Sequence, residues 1–255
     1  MPESPDSSSD IIAVTGASRG LGAAIALELA GRGLTVGCLS RQGIGPAETV
    51  AVPDELAARM VMAKCDIKDG DSIRASLAAL SDQGYRLRHF IANAGTHIAG
   101  PSHKFADADI ATLLDTNVAG TFSCLREAYQ YLGEGSVIVT IGSFYDRIGA
   151  PQNAIYAASK AAIGAIARTL AVEWARDGIR VINIAPGYIE TDLNKEFLES
   201  DRVREFFKRR VALQRWAQPD EIARLIAALL QDDHPLLSGE TIYLDGGHAI
   251  THGRI

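Results

Sequence analysis

Seven short apolar runs, at 11–15, 35–39, 60–64, 89–92, 137–141, 180–184 and 241–244, alternate with longer stretches of helical character. The helical stretches are 23–32, 70–82, 107–132, 154–176 and 219–231. A strand that is apolar at every position, rather than at every second one, is buried on both faces. Strands of this kind separated by helices predict an α/β fold, a doubly wound, Rossmann-type parallel sheet of seven strands with helices on both faces. Right-handed crossovers bring all the strand C-termini to one edge, where ligands bind in such sheets. Residues just after strand ends are therefore where chemistry is expected. No linker, charge block or internal repeat breaks the pattern, so residues 10–255 are expected to form one domain behind a disordered tail, 1–9.

The first run opens onto Thr15-Gly16-Ala17-Ser18-Arg19-Gly20-Leu21-Gly22. Glycines let the backbone turn tightly and approach a ligand closely. A helix beginning here offers unpaired N–H groups and a positive dipole end to a pyrophosphate. The spacing, Gly-x-x-x-Gly-x-Gly, differs from the general dinucleotide fingerprint, and a glycine-rich turn without a ligand is the plainer alternative. Gly16, Ser18, Arg19, Gly20 and Leu21 are the cofactor candidates. An acid at the end of the second run would grip the ribose 2′-hydroxyl of NAD. Between residues 30 and 47 there is no Asp or Glu, and the run ends instead at Ser40-Arg41. A hydroxyl donor and a guanidinium fork suit a 2′-phosphate, with Arg19 able to reach it from the other side. The expectation is NADP(H) over NAD(H).

Composition narrows the classes. With 47% apolar and 22% charged residues the chain is ordinary globular protein, not a disordered one. Thirty-one acids against 25 bases give −6, with no basic stripe, which argues against nucleic acid as a partner. Lys208-Arg209-Arg210 reads as a solvated helix face. No apolar run approaches the roughly 18 residues that span a bilayer, so no membrane partner is expected. Three widely spaced cysteines, Cys38, Cys65 and Cys124, fit neither a disulfide framework nor zinc spacing; they are expected as buried thiols in a reducing cytoplasm, with no metal site.

Of seven tyrosines only Tyr156 has a lysine, Lys160, four residues on. On a helix the pair shares a face. A neighbouring ammonium favours phenolate, and so pulls the phenol's pKa below its usual ~10. The phenol then serves as proton donor to a carbonyl oxygen or acceptor from an alcohol. Ser143 follows the fifth run, either as a turn serine or as a hydroxyl that stabilises the reacting oxygen. There is no Gly-x-Ser-x-Gly elbow, which disfavours a serine hydrolase. Asn117, in the middle of a helical stretch, is either a helix-bending core residue or a functional amide.

In this order and spacing the residues resemble the short-chain dehydrogenase/reductase family, in its compact branch, over about residues 11–247. The resemblance rests on the 15–22 loop, Asp66 after the third run, Asn93-Ala94-Gly95 after the fourth, Asn117, and Ser143 thirteen residues before Tyr156. Lys160, Pro186-Gly187 with Thr191, and Asp245-Gly246-Gly247 complete it. The resemblance implies a hydride-transferring oxidoreductase acting on a carbonyl or CH–OH group. It implies that Asp66 and Ile67 border the adenine and that Asn93 and Gly95 line the cleft. Lys160 would bond the nicotinamide ribose, Asn117 would hold a relay water, and Pro186, Gly187, Ile189 and Thr191 would meet the nicotinamide end. Asn117, Ser143, Tyr156 and Lys160 would be the catalytic set. It also implies a homotetramer or homodimer that pairs the 107–132 and 154–176 helices.

The substrate is a small-molecule carbonyl or alcohol, shaped by 96–101, 144–153 and a lid at 188–212. Phe144, Tyr145 and Tyr188, with Ile148, Leu193, Phe197 and Leu198, are candidates for an apolar wall. Arg147 either faces a substrate anion or lies in solvent. A 3-oxoacyl-carrier-protein reductase is the runner-up, set back because 130–135 has no basic residue and Ala175-Arg176-Asp177 is nearly neutral. A non-catalytic NADP-binding regulator and a methyl- or sugar-nucleotide-transfer enzyme are further alternatives. The tail, 247–255, carries His248, His252 and Arg254, free in solvent or reaching a neighbour's pocket.

Overall fold

A computed structural model describes residues 9–190, 196, 198, 200–231 and 234–252. Seven strands are formed: β1 (Asp10–Thr15), β2 (Thr35–Ser40), β3 (Met60–Lys64), β4 (Arg86–Ala92), β5 (Val137–Ile141), β6 (Arg180–Pro186) and β7 (Thr241–Leu244). They pair in parallel in the order β3-β2-β1-β4-β5-β6-β7. The order reverses between β1 and β4, and in open α/β sheets that switch point opens the ligand crevice.

The continuous apolar runs are explained by two cores, one on each face. Along β1, Ile11 and Ala13 join one core while Ile12 and Val14 join the other. The first core takes α3 (Gly70–Asp82), α5 (Thr121–Tyr129) and α6 (Ala154–Glu173), through Ile73, Leu77, Cys124, Leu125, Ala167 and Leu170. The second takes α1 (Gly20–Gly31) and α8 (Pro219–Gln231), through Ile25, Leu29, Ile222 and Ile226. A short α2 (Asp54–Ala57), α4 (Asp107–Leu114) and α7 (Asp201–Arg210) complete the described helices. On α7, Lys208 pairs with Glu205 at 2.8 Å on the exposed face, as expected of that basic cluster.

Beyond shifts of strand bounds, such as β4 starting at Arg86 rather than at 89, three helical elements depart from expectation. Helix α1 begins at Gly20, not residue 23, because the glycine loop itself supplies the first turn. The expected 107–132 helix is interrupted by a π turn (Asp115–Gly120) that carries Asn117. Helix α6 is long and apolar enough to cross a membrane by length and composition, contrary to the expectation that no such stretch exists. It lies against the sheet, burying Ser159, Lys160, Ile163, Gly164, Ala167, Leu170 and Ala171.

His89 on β4 is 7% exposed, and its Nδ1 accepts the Val137 N–H at 3.0 Å. Burial, helped by the Arg88 and Arg180 charges, pushes its pKa down to about 3. The unfolded chain therefore binds the extra proton between about pH 6.5 and 3, so this histidine's contribution to stability is present above pH 6.5 and is lost as pH falls toward 3. His89→Gln keeps an acceptor for Val137 and removes the titration. Urea midpoints at pH 7 and pH 5 are expected to show wild type losing about 2 kcal/mol more than the variant; equal losses would show that His89 is not held neutral.

Candidate active site

At the sheet's C-terminal edge, β1 and β4 are tied by side chains. Thr15 Oγ1 accepts the N–H groups of Asn93 and Ala94, each at 3.0 Å, and Asn93 Nδ2 donates to Thr15 O at 2.9 Å. Gly16 takes a left-handed φ of +68°, and a Cβ there would lie 3.0 Å from Ala94 Cα. At Gly22, inside the first turn of α1, a Cβ would lie 2.2 Å from Gly16 O. Only glycine lets the helix start this close to the strand that feeds it.

A cleft of about 560 Å³ opens in front of this turn. Its walls include Gly16, Ser18, Arg19, Gly20 and Leu21 from the loop, Ser40 and Arg41 after β2, Asp66 and Ile67 after β3, and Asn93 and Gly95 after β4. Most of the cofactor candidates named from the sequence line this cleft; Cys65, Lys68, Thr112 and Thr116, not named as candidates, line it too, as does Thr96 of the 96–101 substrate segment. Arg19 sits at the N-cap of α1 without capping it, which leaves the first-turn N–H groups for a ligand. Arg19 and Arg41 are exposed, and among the described residues neither pairs with a carboxylate. The first acid beyond β2, Glu48, is bound to its own turn through the Gly45 N–H at 3.0 Å. Ser40 is a partial correction: it lines the cleft, but its hydroxyl donates to Ile44 O at 2.7 Å and accepts Ile44 N–H at 2.9 Å, so its proton is committed to its own loop. The glycine cradle, the free helix N-terminus and the two unpaired guanidiniums fit a dinucleotide that carries phosphate.

Gly95 joins the cleft to the titratable cluster. A Cβ there would lie 3.2 Å from Asn117 Oδ1 and 3.6 Å from Lys160 Nζ. Ser143 is buried at the start of a short turn, where its Oγ accepts Tyr145 N–H at 3.3 Å and its hydroxyl acts to lower the pKa of the Tyr156 phenol. Lys160 carries its ammonium inside and donates to Ile141 O at 2.8 Å. Asn117 is fully buried in the π turn: its Oδ1 accepts Thr96 N–H at 2.8 Å, and its Nδ2 donates to Thr96 O and Ser159 Oγ. Ser159 Oγ in turn donates to Tyr156 O at 2.7 Å. The amide therefore both shapes the helix and braces the segment that carries the phenol. Turns of this kind recur at functional sites.

The electrostatics correct one expectation. Burial pushes the Tyr156 phenol up to about 12, partly offset by the nearby Ser143 hydroxyl, rather than letting Lys160 pull it down. Burial also pulls the Lys160 ammonium down to about 8. Lys160 Nζ stands 5.8 Å from the Tyr156 ring centre and gives a proton to Ile141 O, so in this arrangement desolvation outweighs charge attraction.

The substrate-side candidates separate. Tyr145 stands edge-on to Tyr156 at 6.1 Å and to Tyr188 at 6.3 Å. Phe144 is 2% exposed and backs Tyr188 at 5.0 Å, so it supports the wall rather than forming it. Arg147 is placed elsewhere: its guanidinium lies 4.4 Å over the Tyr243 ring on β7, whose hydroxyl donates to Asp146. Arg147 is exposed, in line with the solvent setting, and it stacks on Tyr243 rather than facing a substrate anion. Pro186 ends β6, two strands beyond the cleft, Gly187 N–H donates to Leu244 O, and Ile189 bridges Ala217. Thr191, Leu193 and Phe197 lie outside the described residues, as does Arg254. His248 packs on Phe144, Tyr188 and Phe206 of its own subunit. His97, within the 96–101 segment expected to shape the substrate site but not singled out there, stands with its ring 4.5 Å from that of Tyr156. Its one signal was its place two residues past Asn93-Ala94-Gly95 at a strand end.

Comparison with known proteins agrees with this geometry. The family described as enoyl-(acyl carrier protein) reductase matches residues 16–249. The 3β-hydroxysteroid dehydrogenase 1 of Eggerthella lenta is 30% identical over 95% of this chain and 94% of its own length. The 3-oxoacyl-acyl-carrier-protein reductase FabG of Staphylococcus aureus is 32% identical over 92% of this chain and 96% of its own. A short chain dehydrogenase from Burkholderia cenocepacia, solved in complex with NADP, superposes with a TM-score of 0.84 at 29% identity, covering 93% of this chain and 96% of that one. With the doubly wound sheet and the Ser143, Tyr156 and Lys160 cluster at its ligand edge, the chain belongs to the short-chain dehydrogenase/reductase family of oxidoreductases acting on CH–OH groups.

Proposed function

We propose that the protein interconverts a ketone or aldehyde and an alcohol with NADP(H), using Tyr156 as proton donor and acceptor. The observation that carries this reading is the Tyr156 phenol with the buried Lys160 ammonium 5.8 Å from its ring, next to a glycine-walled cleft that Gly95 joins to Lys160. A bound nicotinamide supplies the hydride. The remaining work belongs to the chain. Its phenol, pushed up to about 12, keeps its proton at neutral pH and so holds it ready for a carbonyl oxygen. Ser143 donates to the same oxygen and stabilises charge developing there. Lys160 keeps a positive charge near the phenolate that proton transfer leaves behind. A positioned general acid of this kind contributes roughly 10²–10⁴-fold. Gly16, Ser18, Gly20 and Leu21 would hold the pyrophosphate, Asp66 and Ile67 the adenine, and Asn93 and Gly95 the ribose wall. Pro186, Gly187, Ile189 and Thr191 would take the nicotinamide end.

Preference for NADP(H) is supported by Arg19 and Arg41, by the absence of an acid after β2, and by the NADP complex of the Burkholderia relative. A non-catalytic regulator is disfavoured because Asn117, Ser143, Tyr156 and Lys160 are present together. Reduction of 3-oxoacyl groups on carrier protein is the second reading, favoured by the FabG relative and opposed by the uncharged stretch 130–135 apart from Glu134. The groove between α5 and α6, about 890 Å³ and lined by Phe122, Tyr129, Ile166 and Trp174, supports a homodimer or homotetramer through those helices. Three buried free thiols suit a cytoplasmic enzyme. The unbroken sheet supports one domain over 10–255.

A panel of ketones, aldehydes and alcohols followed at the nicotinamide absorbance with both cofactors tests the reading; turnover of none by either cofactor would remove it. Arg41→Ala is expected to weaken NADPH roughly 10–100-fold, the worth of charge-assisted bonds to one phosphate, and NADH less than threefold. Equal weakening would mean that Arg41 does not meet the 2′-phosphate. Reduction is expected to fall as pH rises through about 8, where the lowered Lys160 ammonium loses its proton while Tyr156 still holds its own. A rate flat to pH 10 would separate Lys160 from the chemistry.

A further inference from the structure

Two loops meet over the Tyr156 ring, and each carries an aromatic group to it. From the loop after β4, His97 stands 4.5 Å away at 70°. From the loop after β5, Tyr145 stands 6.1 Å away at 89°, and Tyr188 extends that side through its contact with Tyr145. The loops are fixed to each other. His97 Nε2 and Asn153 Oδ1 are 2.6 Å apart, and Gly100 N–H donates to Gln152 O at 2.9 Å. Asn153 Nδ2 donates to Pro151 O at 2.8 Å, which leaves Oδ1 as the acceptor and so puts the hydrogen on His97 Nε2. The imidazole is thus held by a bond of defined direction, and its Nδ1 is left as a further polar group on the wall.

We propose that His97 on one side and Tyr145 with Tyr188 on the other form an aromatic slot beside Tyr156 that takes a ring-bearing ketone or secondary alcohol in preference to an open-chain one. The proposal rests on the reductase reading for where a substrate sits. Rings pack edge-on or offset against aromatic walls with a gain beyond area burial, whereas a flexible chain loses rotamer freedom to lie in the same place. A flat, stiff substrate meets both walls at once. The slot therefore speaks against an acyl chain as the preferred occupant. His97 is the specificity-determining residue, because it is fixed from outside the catalytic set by Asn153.

The test compares two ten-carbon ketones, 2-tetralone and 2-decanone, binding to the full-length protein saturated with NADP⁺, by saturation-transfer NMR titration. The expected result is 2-tetralone bound about tenfold or more tighter, the scale of two edge-on ring contacts. His97→Ala is expected to bring the two within threefold, and His97→Phe, which keeps a ring without the Asn153 bond, to retain most of the preference. Equal binding to wild type, or tighter binding of 2-decanone, overturns the slot. So does tighter binding of both ketones to His97→Ala, since the imidazole would then fill the space rather than wall it. The same pair with NADPH separates this from the reductase reading: 2-tetralone bound but not reduced keeps the slot and removes the reductase, whereas 2-decanone reduced in preference keeps the reductase and removes the slot.

Discussion

Lys160 extends from α6 into the interior with its ammonium 5% exposed as a residue, and among the described residues its one hydrogen-bond acceptor is Ile141 O at the end of β5. An ammonium in such a place costs several kcal/mol unless something polar meets it. The strand's last carbonyl meets it, and this fixes α6 relative to the end of β5. Ser143, two residues past that carbonyl, and Tyr156, one turn before the lysine, are thereby brought together. Two of the three N–H groups of the ammonium remain for whatever enters beside Gly95, where the missing side chain keeps 3.6 Å clear of Nζ. The fold, the site and the opening to the cleft thus share a single contact.

Around it, burial and charge compete. In the sheet's interior burial prevails: His89 is held neutral, and Tyr156 keeps its proton despite a lysine one turn away. At the cleft's outer rim the setting is different, because Arg19 and Arg41 stay exposed. One edge of the sheet therefore joins an exposed arginine-bearing rim to a more buried interior around Lys160. The Asn117 π turn belongs to the interior half. A regular helix there would hydrogen-bond within itself, whereas the wider turn coincides with an amide that reaches Thr96 and Ser159.

The sequence was informative wherever the controlling interaction is local or periodic. Strand β5, buried at every position, the partly buried edge strands β3 and β7, and helices α3 and α8 run where the apolar pattern placed them. The glycine loop and the Tyr156–Lys160 spacing were legible for the same reason. What distant segments decide was not. Whether Ser40 keeps a free proton depends on Ile44 folding back on it, and Arg147 turns to Tyr243, ninety-six residues away on β7. The π turn leaves no periodic trace in 107–132, and Asn117 was singled out as more than a core residue through family resemblance. The sign of the Tyr156 shift depends on how deeply the ring is buried, which four-residue spacing does not report.

The central claim is that the Tyr156 hydroxyl, and not merely the cleft around it, moves the proton. Tyr156→Phe removes that one oxygen and keeps the ring that packs against His97 and Tyr145. The most direct measurement pairs NADPH binding, by the nucleotide's fluorescence, with single-turnover reduction of a ketone that wild type accepts. The account predicts NADPH bound within threefold of wild type and reduction slowed at least 100-fold. Reduction at the wild-type rate would contradict it.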